Sequence, residues 1–123
     1  MIEQNVSKMN CYFEEQIAMC GQRTEELLAD ARTDEANFEK IKANVYDIFR
    51  TILSVAVKSS KGDPVTVRRF FLQKTEQIPS NWMAAFEAAK QQNDVIKMQI
   101  EQIKLDTMHE IKETFANIWE GEA

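Results

Sequence analysis

Apolar residues recur along this chain at alternating steps of three and four, the spacing that gathers them on one face of a helix. From residue 2 to about 31 the stripe is Ile2, Val6, Met9, Phe13, Ile17, Cys20, Leu27, Leu28 and Ala31, with Thr24 completing the row and Tyr12 and Met19 widening it. This predicts a first helix broad enough to meet two neighbours. Gly21 inside it lowers helix propensity by about 1 kcal/mol and marks a place for a bend or a close approach. Thr33 or Asp34 can cap a second helix that reaches about residue 58. Its main stripe is Phe38, Ile41, Val45, Ile48, Phe49, Ile52 and Ala56, while Tyr46, Leu53, Val55 and Val57 spread apolar surface around its second half. A helix apolar nearly all round belongs at the centre, so 48–57 is expected to be the most buried segment.

Ser59, Ser60, Lys61 and Gly62 interrupt the pattern, and Asp63-Pro64 restarts it as an N-cap followed by a residue that needs no donor. A short third helix over 64–78 then places Val67, Phe70, Phe71 and Ile78 on one face with the stem of Lys74. Pro79 is expected to end it and Ser80 to cap a long fourth helix over 80–120. The seam of that helix is Trp82, Phe86, Ala89, Asn93, Ile96, Ile100, Ile103 and Thr107, and its spacing shifts over Ile111, Phe115 and Ile118. Such a helix would be about 60 Å long, more than its neighbours can cover. Either it breaks at Gln91-Gln92-Asn93-Asp94, or its far end meets another partner. Met98 and Leu105 lie opposite the seam, with Met108 and Trp119 between the two faces. The expected fold is all-α: an up-and-down helical bundle of three long helices plus one short helix, four helices in all, with coiled-coil-like packing in a single domain spanning 1–123.

Composition agrees with a folded domain: of 123 residues 44% are apolar and 28% charged, with 3 Gly and 2 Pro. Glu3 stands where an export signal needs a positive charge, and no apolar core follows it. The 48–57 patch falls short of the roughly 18 residues a membrane span needs. Cys11 and Cys20 are nine positions apart, on opposite sides of one helix, so they read as free thiols suited to a reducing cytoplasm. Without CxxC spacing they make no zinc site of the cysteine type.

Charge sharpens the picture. The net charge is −5, yet Lys58, Lys61, Arg68, Arg69 and Lys74 against Asp63 give one segment a net +4, leaving −9 elsewhere. Glu25, Glu26, Asp30, Asp34, Glu35 and Glu39 form an acidic rim around the first turn.

Catalytic and metal chemistry find little support. The one histidine, His109, has Asp106 and Glu113 on its helix face. A ferritin-like di-metal site needs a Glu-x-x-His from each of two helices, which one histidine cannot supply. His109 is also the only ordinary base for Cys11 or Cys20, and no glycine run cradles a phosphate. The chain therefore reads as no enzyme, with no cofactor, no metal and no membrane partner.

The expected function is that of a small non-enzymatic cytoplasmic protein-protein interaction module, adaptor or regulatory in kind. It would bind itself as a homodimer, or another protein's helix, through Met98, Leu105, Met108 and Trp119 on the C-terminal helix. The alternative is a nucleic-acid-binding regulator using Lys58, Lys61, Arg68, Arg69 and Lys74. There the 59–62 turn and the basic helix resemble a helix-turn-helix in outline, although Pro64, Val65 and Val67 occupy the end that a recognition helix keeps polar. A third class is an acidic inhibitor or immunity-type protein that neutralises a basic macromolecule.

Overall fold

The structure is a computed structural model that describes residues 2–120; the ends of the expected 1–123 domain, Met1 and 121–123, lie outside the described residues. Four helices fill it: α1 (Ile2–Ala29), α2 (Thr33–Ser60), α3 (Pro64–Gln91) and α4 (Val95–Glu120). Connections of three residues turn each helix back antiparallel to the one before, which makes an up-and-down bundle. α1 packs mainly against α2, α3 mainly against α4, and α2 and α4 also touch across the middle.

All three connections use the same device. Ala31, Lys61 and Asn93 adopt left-handed backbone, with φ of 57°, 56° and 56°. In each, the next residue donates back to a carbonyl in the last turn of the helix: Arg32 N–H to Leu27 at 2.8 Å, Gly62 to Val57 at 3.2 Å and Asp94 to Ala89 at 2.9 Å. These are Schellman closures, which satisfy the last carbonyls of a helix around one αL residue. Asp63 then caps α3 by accepting from the Thr66 N–H at 3.2 Å, and Asp94 caps α4 by accepting from the Lys97 N–H at 3.1 Å.

The division between the last two helices differs from the sequence expectation. Pro79 does not end α3 but lies buried inside it, and Ser80 caps nothing, because its hydroxyl donates back to the Gln77 carbonyl at 2.7 Å. The break falls instead at 92–94, the first of the two alternatives that helix length allowed. The physical reason is local and tertiary together. Asn93 tolerates αL and Asp94 caps, while carrying α3 on to Gln91 gives it 28 residues beside partners of 28 and 26. Against the roughly 3 kcal/mol a mid-helix proline costs, the extra length sets Trp82 edge-on to Phe49 and buries Ala89. α1 runs through Gly21 without interruption, and a Cβ there would meet nothing within 4 Å, so this glycine marks no close approach.

The core is concentrated toward one end. Met9, Phe13, Val45, Tyr46, Phe49, Leu53, Ala56, Val67, Phe71, Ile111 and Phe115 are buried in the half that holds the 61–63 connection. Phe71, Phe115 and Trp119 stack in sequence at 4.3 Å spacings. Toward the opposite end the buried positions are Cys20, Thr24, Ala36, Ala89, Glu101 and Thr107. Ile96, a seam residue, is 60% exposed there. The 48–57 segment is also less enclosed than its composition suggested. Phe49, Leu53 and Ala56 are buried, but Ile48 and Val55 are 40% and 45% exposed. α2 is central on three sides and open on the fourth.

Candidate interaction surface

Potentially reactive groups are dispersed among the described residues. Cys20 is buried and Cys11 exposed, on opposite sides of α1. Burial first, and the negative charge of Glu39 second, push the Cys20 thiol up to about 11, away from the thiolate a nucleophile requires. His109 sits on the outside of α4 and reaches Glu113 at 3.1 Å, both side chains well exposed, while Asp106 accepts instead from Gln102 at 2.8 Å. No group of three His, Cys, Asp or Glu side chains among the described residues is placed to hold a metal ion. No helix among them is long and apolar enough to cross a membrane.

One polar node lies between helices. Tyr46 donates to Glu110 Oε2 at 2.6 Å, and Tyr12 donates to the same oxygen, so one carboxylate of α4 ties α1 and α2 together. Gln16 gives the Tyr46 hydroxyl a further partner at 3.4 Å. Burial raises both phenols well above their ordinary value, and the Glu110 carboxylate adds to it by accepting hydrogen bonds from their protonated forms. Neutral phenols held in this way are fasteners; they tie the helices and do not titrate near neutrality.

A groove of about 680 Å³ runs between the start of α1 and the end of α2, floored by Val6 and Val57 and edged by Asn10, Cys11, Glu14 and Lys61. No histidine lines it.

The four residues expected to form an interface on the C-terminal helix divide into two pairs. Met108 and Trp119 pack against the core of their own bundle, with the Trp119 ring on Phe115 and its Nε1 buried without a hydrogen-bond partner. Met98 and Leu105 share a different line of α4, half-buried. The basic residues stay near the 61–63 connection, where Lys58, Lys61, Arg68 and Arg69 are exposed. Lys74 is held down, with its Nζ 5.5 Å from the Phe70 ring centroid and 3.4 Å from Gln77 Oε1. The acidic rim gathers at the opposite end and is partly neutralised within the chain: Glu35 pairs with Arg32, and Glu39 lies 3.8 Å from Arg23.

What the sequence reading missed lies on the open side of α2. Asn37, Ile41, Asn44, Ile48, Thr51, Val55 and Lys58 follow one another at steps of four and three, a second row beside the core seam of the same helix. Every one of them is exposed except Ile41, which is half-buried. From Asn37 to Val55 the row carries no charge, although it faces away from the core, and a β-branched apolar residue returns at every seventh position. The signal was present in the spacing. It was absorbed into the core because apolar residues around a helix say how much surface is to be covered, and not which neighbour covers it.

No family model, no curated protein and no solved structure matches this chain.

Proposed function

We propose that this protein is a non-enzymatic interaction module that works by presenting a helix face to another helix. The observation that carries this reading is the uncharged row on α2, in which Ile48 and Val55 remain 40% and 45% exposed in the middle of an otherwise central helix. Solvated helix faces ordinarily carry charge. A row without it, with isoleucine or valine at every seventh position and short hydrogen-bonding side chains between, has the spacing by which helices recognise one another. The non-enzymatic part of the reading is supported by the elevated Cys20 thiol and by the exposed pairing of His109 with Glu113. A reducing cytoplasm suits the two free thiols.

The test is site-specific photocrosslinking in cells. A photoreactive phenylalanine in place of Ile48 should yield a protein adduct, and the same residue in place of exposed Glu26 on α1 should yield none. Equal labelling from both positions, or none from position 48, would remove the α2 face from consideration.

A further inference from the structure

We infer that the partner of the open α2 face is the α2 of a second copy, packed antiparallel across a two-fold axis; this rests on the interaction-module reading above. Charge is the first feature that points to it. One step of the row before Asn37 lies Asp34, at the acidic end of the bundle, and the row closes on Lys58 at the basic end, both exposed. When two such rows run in opposite directions, the register that opposes Asp34 to Lys58 of the second copy forms that pair twice, by symmetry. The same register lays the acidic rim of each bundle beside the basic end of the other.

Size follows the same register. Ile41 meets Thr51, Ile48 meets Asn44 and Val55 meets Asn37, so each β-branched side chain faces a polar one that is unbranched or smaller. Asn37 and Asn44 stand on the side of the row next to Lys40, Asp47 and Ser54, all exposed. Asp47 approaches its own counterpart near the axis, but Arg50 neutralises it from 2.6 Å within each copy. A parallel pair would give Asn44 its own copy as a hydrogen-bonding partner. It would also set Asp34 on Asp34, Lys58 on Lys58 and acidic rim on acidic rim, and those contacts oppose it. A row without charge inside, bounded by an aspartate at one end and a lysine at the other, is complementary to itself only when reversed. From Asp34 to Lys58 it extends about 36 Å, enough for two helices to engage along six turns.

Sedimentation of the purified full chain over a range of concentrations tests this. The wild type should dimerise. Ile48→Glu should abolish the dimer while the helical circular dichroism is unchanged, since the side chain is already 40% exposed; Thr51→Glu, also at an exposed position, should do the same. Asp34→Lys and Lys58→Asp should each raise the dissociation constant about tenfold. Combining them in one chain should restore it, because each reversed end then meets the other. A wild type that stays monomeric, a swapped chain weaker than either single variant, or a dimer indifferent to Ile48→Glu and lost with Leu105→Glu would overturn the inference. If the purified chain is monomeric while the photoreactive residue at position 48 captures a different protein, the interaction-module reading stands and self-pairing falls. No capture from that position removes both.

Discussion

Glu110 shows how much a single side chain at the surface can hold. Its carboxylate accepts from Tyr12 and Tyr46, whose hydroxyls come from two other helices. Tyr46 is fully buried, so removing the acceptor takes away its 2.6 Å partner and leaves a longer 3.4 Å contact to Gln16 beside the Tyr12 hydroxyl. A buried hydroxyl that loses its partner costs about 1–3 kcal/mol, whereas removing donor and acceptor together is much closer to neutral. Glu110→Ala should therefore reduce the unfolding free energy by that much, read as a lower urea midpoint. Tyr46→Phe in the same background should add less than it does alone, because the two changes remove one interaction. A strictly additive pair would show that the tyrosine is held by packing and the hydrogen bond contributes nothing. In the sequence Tyr46 is legible as an apolar residue beside the main stripe, but its partner is not, since 64 positions separate it from Glu110.

At the scale of the element, most helix ends follow chemistry readable within a few residues; the start of α2 does not, because Thr33 and Asp34 lie inside the helix and Arg32 precedes it without a side-chain cap. Asp63-Pro64 predicts the start of α3, and the structure has it there with the carboxylate on the Thr66 N–H. Hydrogen bonding from Thr66 holds the Asp63 carboxyl below its usual range, so the cap is intact above that range and weakens as acid protonates it. Pro79 misleads because its penalty of about 3 kcal/mol is local, while the extension beyond it is held by neighbours, with Trp82 edge-on to Phe49 and Ala89 buried. Gly21 and Ala31 are among the positions that carry avoidable local cost. Gly21 has open space at its Cβ, and Ala31 sits in the left-handed region that glycine enters freely. Gly21→Ala and Ala31→Gly should each raise stability by about 0.5–1 kcal/mol, read as a higher thermal midpoint. Loss of stability at Gly21→Ala would mean that α1 needs a hinge there.

Over the whole molecule, stability should be graded from end to end. The half near the 61–63 connection contains the stacked and tilted aromatic contacts of Phe49, Phe71, Phe115 and Trp119. The opposite half buries smaller side chains, Cys20, two alanines and two threonines, together with Glu101, which is only 6% exposed and has Oε2 buried without a partner, although Oε1 lies 3.2 Å from Lys104 Nζ. Fewer buried apolar atoms and an incompletely satisfied carboxylate make local opening cheaper. Amide exchange followed by mass spectrometry should show 24–29, 33–37 and 95–103 exchanging well before 45–56 and 67–71. Uniform exchange along the helices would mean that the bundle opens as one unit. The basic and acidic residues occupy opposite ends of this same body, and that polarity leaves the nucleic-acid and acidic-inhibitor alternatives as outcomes that binding assays on the α2 variants would reveal.

The sequence by itself determined the helical class, the amphipathic stripes and most of the turns, because spacing, capping and αL preference act over a few residues. Tertiary structure decided the rest. It carried α3 through Pro79, joined Tyr12 and Tyr46 through Glu110, drew Met108 and Trp119 against the core, and left Ile48 and Val55 facing out. Each of these depends on which helix lies beside which, and neighbours are chosen by the total surface buried in the bundle. A stripe records only that a helix has apolar surface to cover. On α2 there is more of it than α1, α3 and α4 together can reach, and that excess is what points beyond the single chain.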